Sequence, residues 1–224
     1  MLDQAVLAEL RTFPTPAIAN GIETFEVRPH NTGYMDASVG CMFPELGIAQ
    51  GFAATATIRA SVPGQADRTR DLWRHVLSIP EPRFVVVQDL DDPPGVGSFW
   101  GEVNSNVFQA FGCIGVITNG CVRDLDEMRG LGFHAFASSV GVSHAYVHVE
   151  GAGSPVRVGG LDVSPGDLLQ ADQHGVISIP PEIAGALPDA IRKLEARERE
   201  VIAMFRAPDF SPESFAGTEE DVRH

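Results

Sequence analysis

Residues Arg83–Gln88 read RFVVVQ, a run too apolar to leave either face in water. Side chains of a strand alternate between two faces, so such a run demands cover on both, as in a parallel sheet packed under crossover helices. Two further runs have this character, Ile114–Thr118 and Phe133–Ala137. The stretches between them leave room for one helix each, Val103–Phe111 and Asp124–Leu131. Phe52–Arg59, FAATATIR, is rich in β-branched residues and predicts a strand ahead of them. A turn at Ser61–Gln65 and an amphipathic helix at Arg68–Ile79, with Leu72, His75, Val76 and Ile79 on one side, follow it. Strand and helix alternating in this way is the βαβ rhythm of an α/β fold.

The flanking parts read differently. Leu2–Phe13 has helical apolar spacing and ends before Pro14, and Thr15-Pro16 starts a second short helix. Residues 28–50 are rich in Gly, Pro and Asn and read as irregular. Val156–Val158, Leu161–Val163, Leu168–Ala171 and Val176–Ile179 read as short strands, with Gly159-Gly160 and Pro165-Gly166 as turns. A long helix is expected from Pro180-Pro181-Glu182 to Phe205, and a polar, frayed tail over 207–224. The organisation expected is one domain over residues 1–206 followed by that tail.

Composition narrows the function classes. Sixteen Lys+Arg against thirty Asp+Glu give a formal charge of −14, which argues against a nucleic-acid surface. A small anionic substrate is still compatible, because a local arginine and backbone donors override net charge. Cys41, Cys113 and Cys121 have no metal spacing, and with no signal segment they predict a reduced, cytoplasmic chain. No apolar stretch approaches the ~18 residues needed to span a bilayer.

The chemistry concentrates in Gly95–Met128, GVGSFWGEVNSNVFQAFGCIGVITNGCVRDLDEM. A Gly-rich turn ends in Gly101-Glu102 at the start of a helix, where backbone N–H groups are free for an anion. The strand Ile114–Thr118 runs through Asn119-Gly120 to Arg123-Asp124, a carboxylate clamp beside a carboxylate suited to a hard cation. An Arg-Asp dipeptide by itself is usually a solvated surface pair; the glycine turn and the buried strand before it single this one out. Other chemistry-bearing residues read as structural. Cys113 and Cys121 flank a buried strand as small core residues. His144 and His148 have the i, i+4 spacing of a helical metal pair in a stretch that reads extended. Asp89, Asp91 and Asp92 sit beside prolines and read as a solvated loop, and Asp172 and His174 read as turn residues.

Gly101-Glu102, twenty intervening residues and Arg123-Asp124, with GVITNGCVRD, LGFHAFA and VSPGDLLQADQHGVISIP around them, resemble the class II 4-hydroxy-4-methyl-2-oxoglutarate aldolase family. That family also contains the regulator of ribonuclease activity A, and the resemblance covers roughly residues 50–205. It implies a layered α/β sandwich resembling the swivelling phosphohistidine domain, a β/β/α fold, assembled as a homotrimer or hexamer with sites between subunits. It implies that backbone amides of Gly101, Glu102, Val103 and Asn104 hold the carboxylate of a small 2-oxo acid, that Arg123 binds the same acid, and that Asp124 ligates Mg²⁺ or Mn²⁺. Glu102 is implied as a base or as the holder of a water; relatives often carry Asp there, and several carry Asp at the position of Asn20. Glu198 falls in the middle of an apolar helical stripe (Ile183, Leu187, Ile191, Leu194, Val201, Ile202, Phe205), where a carboxylate is costly unless paired or near a metal. The resemblance gives such a glutamate a role in the neighbouring subunit's site. The activities implied are pyruvate aldolase and oxaloacetate decarboxylase; a protein-binding regulator and an acylpyruvate hydrolase are the alternatives.

Overall fold

The computed structural model describes residues 3–64 and 68–215. Leu2, Gln65 and residues 216–224, on which parts of the expectations above fall, lie outside the described residues. The chain runs α1 (Gln4–Leu10), α2 (Thr15–Glu23), β1 (Gly40–Cys41), a 3₁₀ turn at Pro44–Leu46, β2 (Ala49–Arg59), α3 (Thr69–Ser78), β3 (Arg83–Asp89) and α4 (Glu102–Ala110). It continues with β4 (Cys113–Thr118), β5 (Cys121–Val122), α5 (Leu125–Leu131), β6 (His134–Ala137), β7 (Ser139–Val140) and β8 (His148–Ala152). The last part holds β9 (Val156–Val158), β10 (Leu161–Val163), β11 (Leu168–Asp172), β12 (Gly175–Ile179), α6 (Leu187–Phe205) and α7 (Pro212–Phe215).

The long strand β2 organises the sheet. One edge pairs in parallel with β3 over Phe52–Ile58, and β3, β4 and β6 continue in parallel as the βαβ rhythm requires. Its other edge is shared: Ala49–Phe52 pair with β11 and Ala56–Arg59 with β8, both antiparallel. The main-chain groups between these two partners are satisfied individually. The Ala53 N–H donates to Asp167 O at 2.9 Å, the Gly153 N–H to Thr55 O at 2.9 Å, and the Thr55 N–H to His75 Nε2 at 3.1 Å. A ring nitrogen that accepts carries no proton, so this contact fixes His75 neutral; burial pushes its pKa down in the same direction.

Alternation along β3 assigns its side chains to two cores. Val85 and Val87 pack with Leu72 and Val76 of α3, Phe108 of α4 and Met128 of α5. Phe84 and Val86 pack against Val156, Val158, Leu161 and Val163 of the β9–β10 hairpin. Helices, main sheet and hairpin form the three layers expected of a β/β/α sandwich. Each fully buried Val or Phe contributes on the order of 1.5–3 kcal/mol, which is why the RFVVVQ run dictates this arrangement. The hairpin turns at Gly159 (φ 52°) and Gly160 (φ 75°), left-handed conformations that favour glycine at both positions. A third cluster joins α1, α2 and α6 to β11 and β12 at the opposite end of the sheet from β6.

Two expectations need correction. The long helix becomes regular at Leu187 rather than at Pro180: the preceding residues make i→i+3 bonds (Ile183 N–H to Pro180 O, Ala186 N–H to Ile183 O), and Pro188 opens the α-helix proper. Asp89 and Asp91 are not solvated; they are 3% and 6% exposed. Asp91 accepts from Ala60 N–H at 2.7 Å, Ser61 N–H at 3.0 Å and Ser61 Oγ at 2.5 Å, so it terminates β2 as a backbone cap. The reading of Cys113 as a core residue holds, with burial pushing its thiol pKa up to about 12. Asp172 and His174 do form a turn, in which Asp172 also accepts Thr15 N–H and Oγ1, both at 2.7 Å, at the start of α2.

Candidate active site

Two loops at the C-terminal ends of parallel strands carry Glu102 and Arg123, the position where α/β proteins place ligands. The first, from Asp89 to Gly101, is held at several points. Asp89 Oδ2 accepts the Gly95 N–H at 2.7 Å, and Gly97 packs so tightly on His144 that a Cβ there would lie 2.5 Å from its carbonyl oxygen. Trp100, 1% exposed, is anchored between Phe108 and Phe133 at centroid distances of 4.9 and 5.8 Å. That anchor fixes Gly101 as the N-cap of α4. The second loop leaves β4 through Asn119, whose amide bonds both Asp89 N–H (2.7 Å) and Asp89 O (3.0 Å) and so extends the β3–β4 pairing. The two loops then join. Ser98 Oγ lies 2.6 Å from Trp100 O and 2.9 Å from Cys121 O, and the Arg123 N–H donates to Trp100 O at 3.0 Å.

The outcome is direct contact between the two halves of the motif. Asp124 Oδ2 accepts the Glu102 N–H at 3.0 Å, and Arg123 Nε lies 3.7 Å from the same oxygen. Gly101 supplies the clearance, since a Cβ there would sit 2.4 Å from Asp124 Oδ2. Asp124 adopts φ 53°, ψ 50°, a left-handed conformation that costs a non-glycine residue roughly 1–2 kcal/mol. Such a cost persists only where surrounding structure imposes it. Arg123 and Asp124 are both about one-third exposed, at 36% and 34% of the side chain, so the pair is open to solvent.

Of the residues singled out in the sequence, Gly101, Glu102, Arg123 and Asp124 come together. Val103 lies in the first turn of α4, 73% exposed. The Asn104 side-chain Nδ2 donates to the Phe99 carbonyl. Glu198 stands on α6, seven residues beyond Ile191, the last residue of that helix that is buried. Within the chain α6 packs on α1 and α2, at the far edge of the sheet from β4 and β6. Residue patterns gave no sign of the supporting residues Ser98, Asp89 and Asn119.

A single carboxylate with one oxygen turned to the protein fits a hard cation that keeps most of its waters, as Mg²⁺ does. Oδ1 of Asp124 has no protein donor among the described residues. Among those residues no group of three or more His, Cys, Asp or Glu side chains is placed to hold a metal.

Fold and site together define an α/β protein with an Arg-Asp pair and a helix N-terminus converging at strand ends. The chain belongs to the RraA-like family, described as Aldolase/RraA, which matches residues 8–178. A putative 4-hydroxy-4-methyl-2-oxoglutarate aldolase of Thermus thermophilus is 37% identical over 79 residues, 33% of this chain and 46% of that protein. A protein of the same description from Halalkalibacterium halodurans is 31% identical over 108 residues, 45% of this chain and 50% of that protein. The matches to these curated relatives thus span about half of their length. Among solved structures, an uncharacterized protein of Pseudomonas syringae superposes with a TM-score of 0.74 at 18% identity, covering 97% of this chain and 95% of its own. Streptomyces coelicolor RraAS2, a member of the RNase ES inhibitor RraA family, gives 0.71 at 20% identity, covering 89% and 96%. These two likenesses establish the fold.

Proposed function

We propose that this chain is a divalent-metal-dependent pyruvate aldolase, cleaving a 4-hydroxy-2-oxo acid such as 4-hydroxy-4-methyl-2-oxoglutarate, with oxaloacetate decarboxylation on the same site. The observation that carries the reading is the Asp124 carboxylate held at 3.0 Å by the Glu102 N–H, with Arg123 beside it. Relatives described as putative aldolases of this class support it.

Cleavage breaks the C3–C4 bond of the substrate: the C4 hydroxyl gives up its proton, C4 leaves as a carbonyl, and the bonding pair remains on pyruvate as its enolate. Mg²⁺ or Mn²⁺ held by Asp124 would supply Lewis-acid stabilisation of that charge. Arg123 presents a planar fork to the C1 carboxylate, and the N–H groups of Val103 and Asn104 in the first turn of α4 would add donors for the same group, that of Glu102 being taken up by Asp124. Losing one such donor typically costs on the order of 10²–10³ in rate. Glu102 is exposed at the rim of the site, where its carboxylate would take the C4 hydroxyl proton directly or through a water, and return a proton to C3.

The partner in this reading is a second copy of the chain. Val103, Val140, Val142 and Tyr146 are 73%, 55%, 97% and 61% exposed, and the first two flank Arg123 and Asp124 through α4 and the β5–β7 pairing. Ile202 and Phe205 are likewise exposed on the outer half of α6. Covering these faces in a homotrimer or homohexamer would bring Glu198 of another copy to the site. The half-reaction tests the chemistry: with Mg²⁺ in D₂O, the pyruvate methyl protons should exchange at a protein-dependent rate, and EDTA should stop the exchange. Exchange absent with both Mg²⁺ and Mn²⁺ would leave a protein-binding regulator as the better reading.

A further inference from the structure

Ser98 carries no charge and stands outside the Arg123–Asp124 group, yet three chain segments meet on it. It is 2% exposed. Its Oγ reaches two carbonyls, Trp100 O at 2.6 Å and Cys121 O at 2.9 Å, and its backbone N–H donates to Ser143 O at 2.9 Å. Trp100 directly precedes Gly101, the N-cap of α4, and Cys121 opens β5, the strand that delivers Arg123. One buried side chain therefore spans both loops of the site, while its own backbone is held from a third segment.

A serine hydroxyl has one proton to give. The shorter distance assigns it chiefly to Trp100 O, with Cys121 O as the longer second contact. Trp100 O has a second lone pair, and it accepts the Arg123 N–H at 3.0 Å. The same carbonyl thus ties Ser98 to the backbone of Arg123, and a parallel bridge between Trp100 and Val122 keeps the two segments in register. The third segment is itself tightly built. Ala145 is left-handed (φ 46°) and its N–H donates to Ser143 Oγ at 3.0 Å. Gly97 packs on this turn, where a Cβ would lie 2.5 Å from His144 O and 2.9 Å from Ala145 Cβ. A left-handed alanine persists only where the surrounding structure imposes it.

We propose that Ser98 is a positioning residue for Arg123: through Trp100 O and Cys121 O it sets where Arg123 stands relative to Gly101-Glu102, without touching substrate. Its part in catalysis rests on the aldolase reading; its part in placing Arg123 does not. A misplacement of about 1 Å in such a group costs about 10²-fold in rate. Ser98→Ala should therefore behave as a milder version of an Arg123 variant.

Native-state hydrogen exchange of the full-length protein, followed by ¹H–¹⁵N NMR, reads the placement. Ser98→Ala should speed exchange at the Arg123 amide by about tenfold, the effect of losing one buried hydrogen bond. The Ala53 amide, which donates to Asp167 O from the central strand, should keep its protection and reports any global loss of stability. Exchange of pyruvate methyl protons in D₂O with Mg²⁺ reads the chemistry. Ser98→Ala should lower its kcat/KM by about 10- to 10²-fold, but by less than about threefold when Arg123 is already alanine, because residues that act as a unit are not additive. Unchanged protection at the Arg123 amide, an equal loss at Ala53, or a full Ser98→Ala effect in the Arg123→Ala background would each overturn the proposal. Wild-type protein that exchanges no pyruvate protons, with Arg123 protection still falling in Ser98→Ala, would refute the aldolase reading and keep Ser98 as the residue that places Arg123.

Discussion

The carboxylate of Asp124 accepts the backbone N–H of Glu102 at 3.0 Å, so the N-terminus of α4 is tied to the residue that caps α5. This bond unites two loops that leave neighbouring parallel strands, and it leaves the second oxygen of Asp124 free of protein donors among the described residues. It works together with the Ser98 and Arg123 N–H contacts to Trp100 O, and with the clearance that Gly101 provides.

Gly101→Ala tests the clearance. The backbone there is extended (φ −168°), so alanine is conformationally acceptable and the objection is steric, with Asp124 Oδ2 at 2.4 Å from the new Cβ. The expected outcome is a folded protein whose kcat/KM falls by about 10²-fold, the usual cost of a catalytic group displaced by an ångström. Circular dichroism and pyruvate release measured on the same preparation check it.

Arg123→Lys retains the charge and removes the planar fork. A point charge cannot hold a carboxylate bidentately, so kcat/KM should fall by about 10²–10³ with little recovery relative to Arg123→Ala. Near-native kinetics in the lysine variant would place the carboxylate clamp elsewhere.

Subunit complementation tests the role of Glu198. Glu198→Gln and Asp124→Ala should each be inactive alone, yet mixing them under conditions of subunit exchange should restore a fraction of activity, because some sites then receive both intact residues. Mixtures with no more activity than their components would show that each site is complete within one chain.

His75 gives the fold a pH dependence of defined sign. Its pKa is lowered in the folded state by burial, and its Nε2 accepts the Thr55 N–H. Below the ordinary histidine range the unfolded chain takes up a proton that the folded chain refuses, so stability falls as pH drops through about 6.5. The loss continues until the lowered folded pKa is reached, and the contribution is fully present above the unfolded value. His134, also lowered by burial, adds in the same direction. Urea denaturation at pH 8 and pH 5.5 should show the decrease, and His75→Gln should reduce it.

Much of this fold is legible in residue order because burial on both faces leaves few ways to place RFVVVQ and its neighbours. The hairpin strands Val156–Val158 and Leu161–Val163 form over the residues expected, since two adjacent glycines admit little else than a tight turn. The acidic loop was less legible. Asp89 and Asp91 sit in a polar, proline-bounded stretch that resembles a solvated loop, and only tertiary structure shows that each carboxylate accepts orphan backbone N–H groups. The start of α6 was misplaced for a related reason: Pro180 and Pro181 resemble a helix N-terminus, but i→i+3 turns intervene. Pairing of Glu102 with Asp124 depends on a left-handed backbone at Asp124 and on Ser98 bridging two loops, and no local pattern encodes either.

The most direct measurement is pyruvate release from 4-hydroxy-4-methyl-2-oxoglutarate by the wild-type chain and by Asp124→Ala, each with Mg²⁺ and with EDTA. Wild-type turnover with Mg²⁺, lost in EDTA, regained on adding excess Mg²⁺ and absent from Asp124→Ala in every condition, is the expected result. Turnover that survives EDTA, or that persists undiminished in Asp124→Ala, would contradict the assignment of a metal-dependent aldolase to this site.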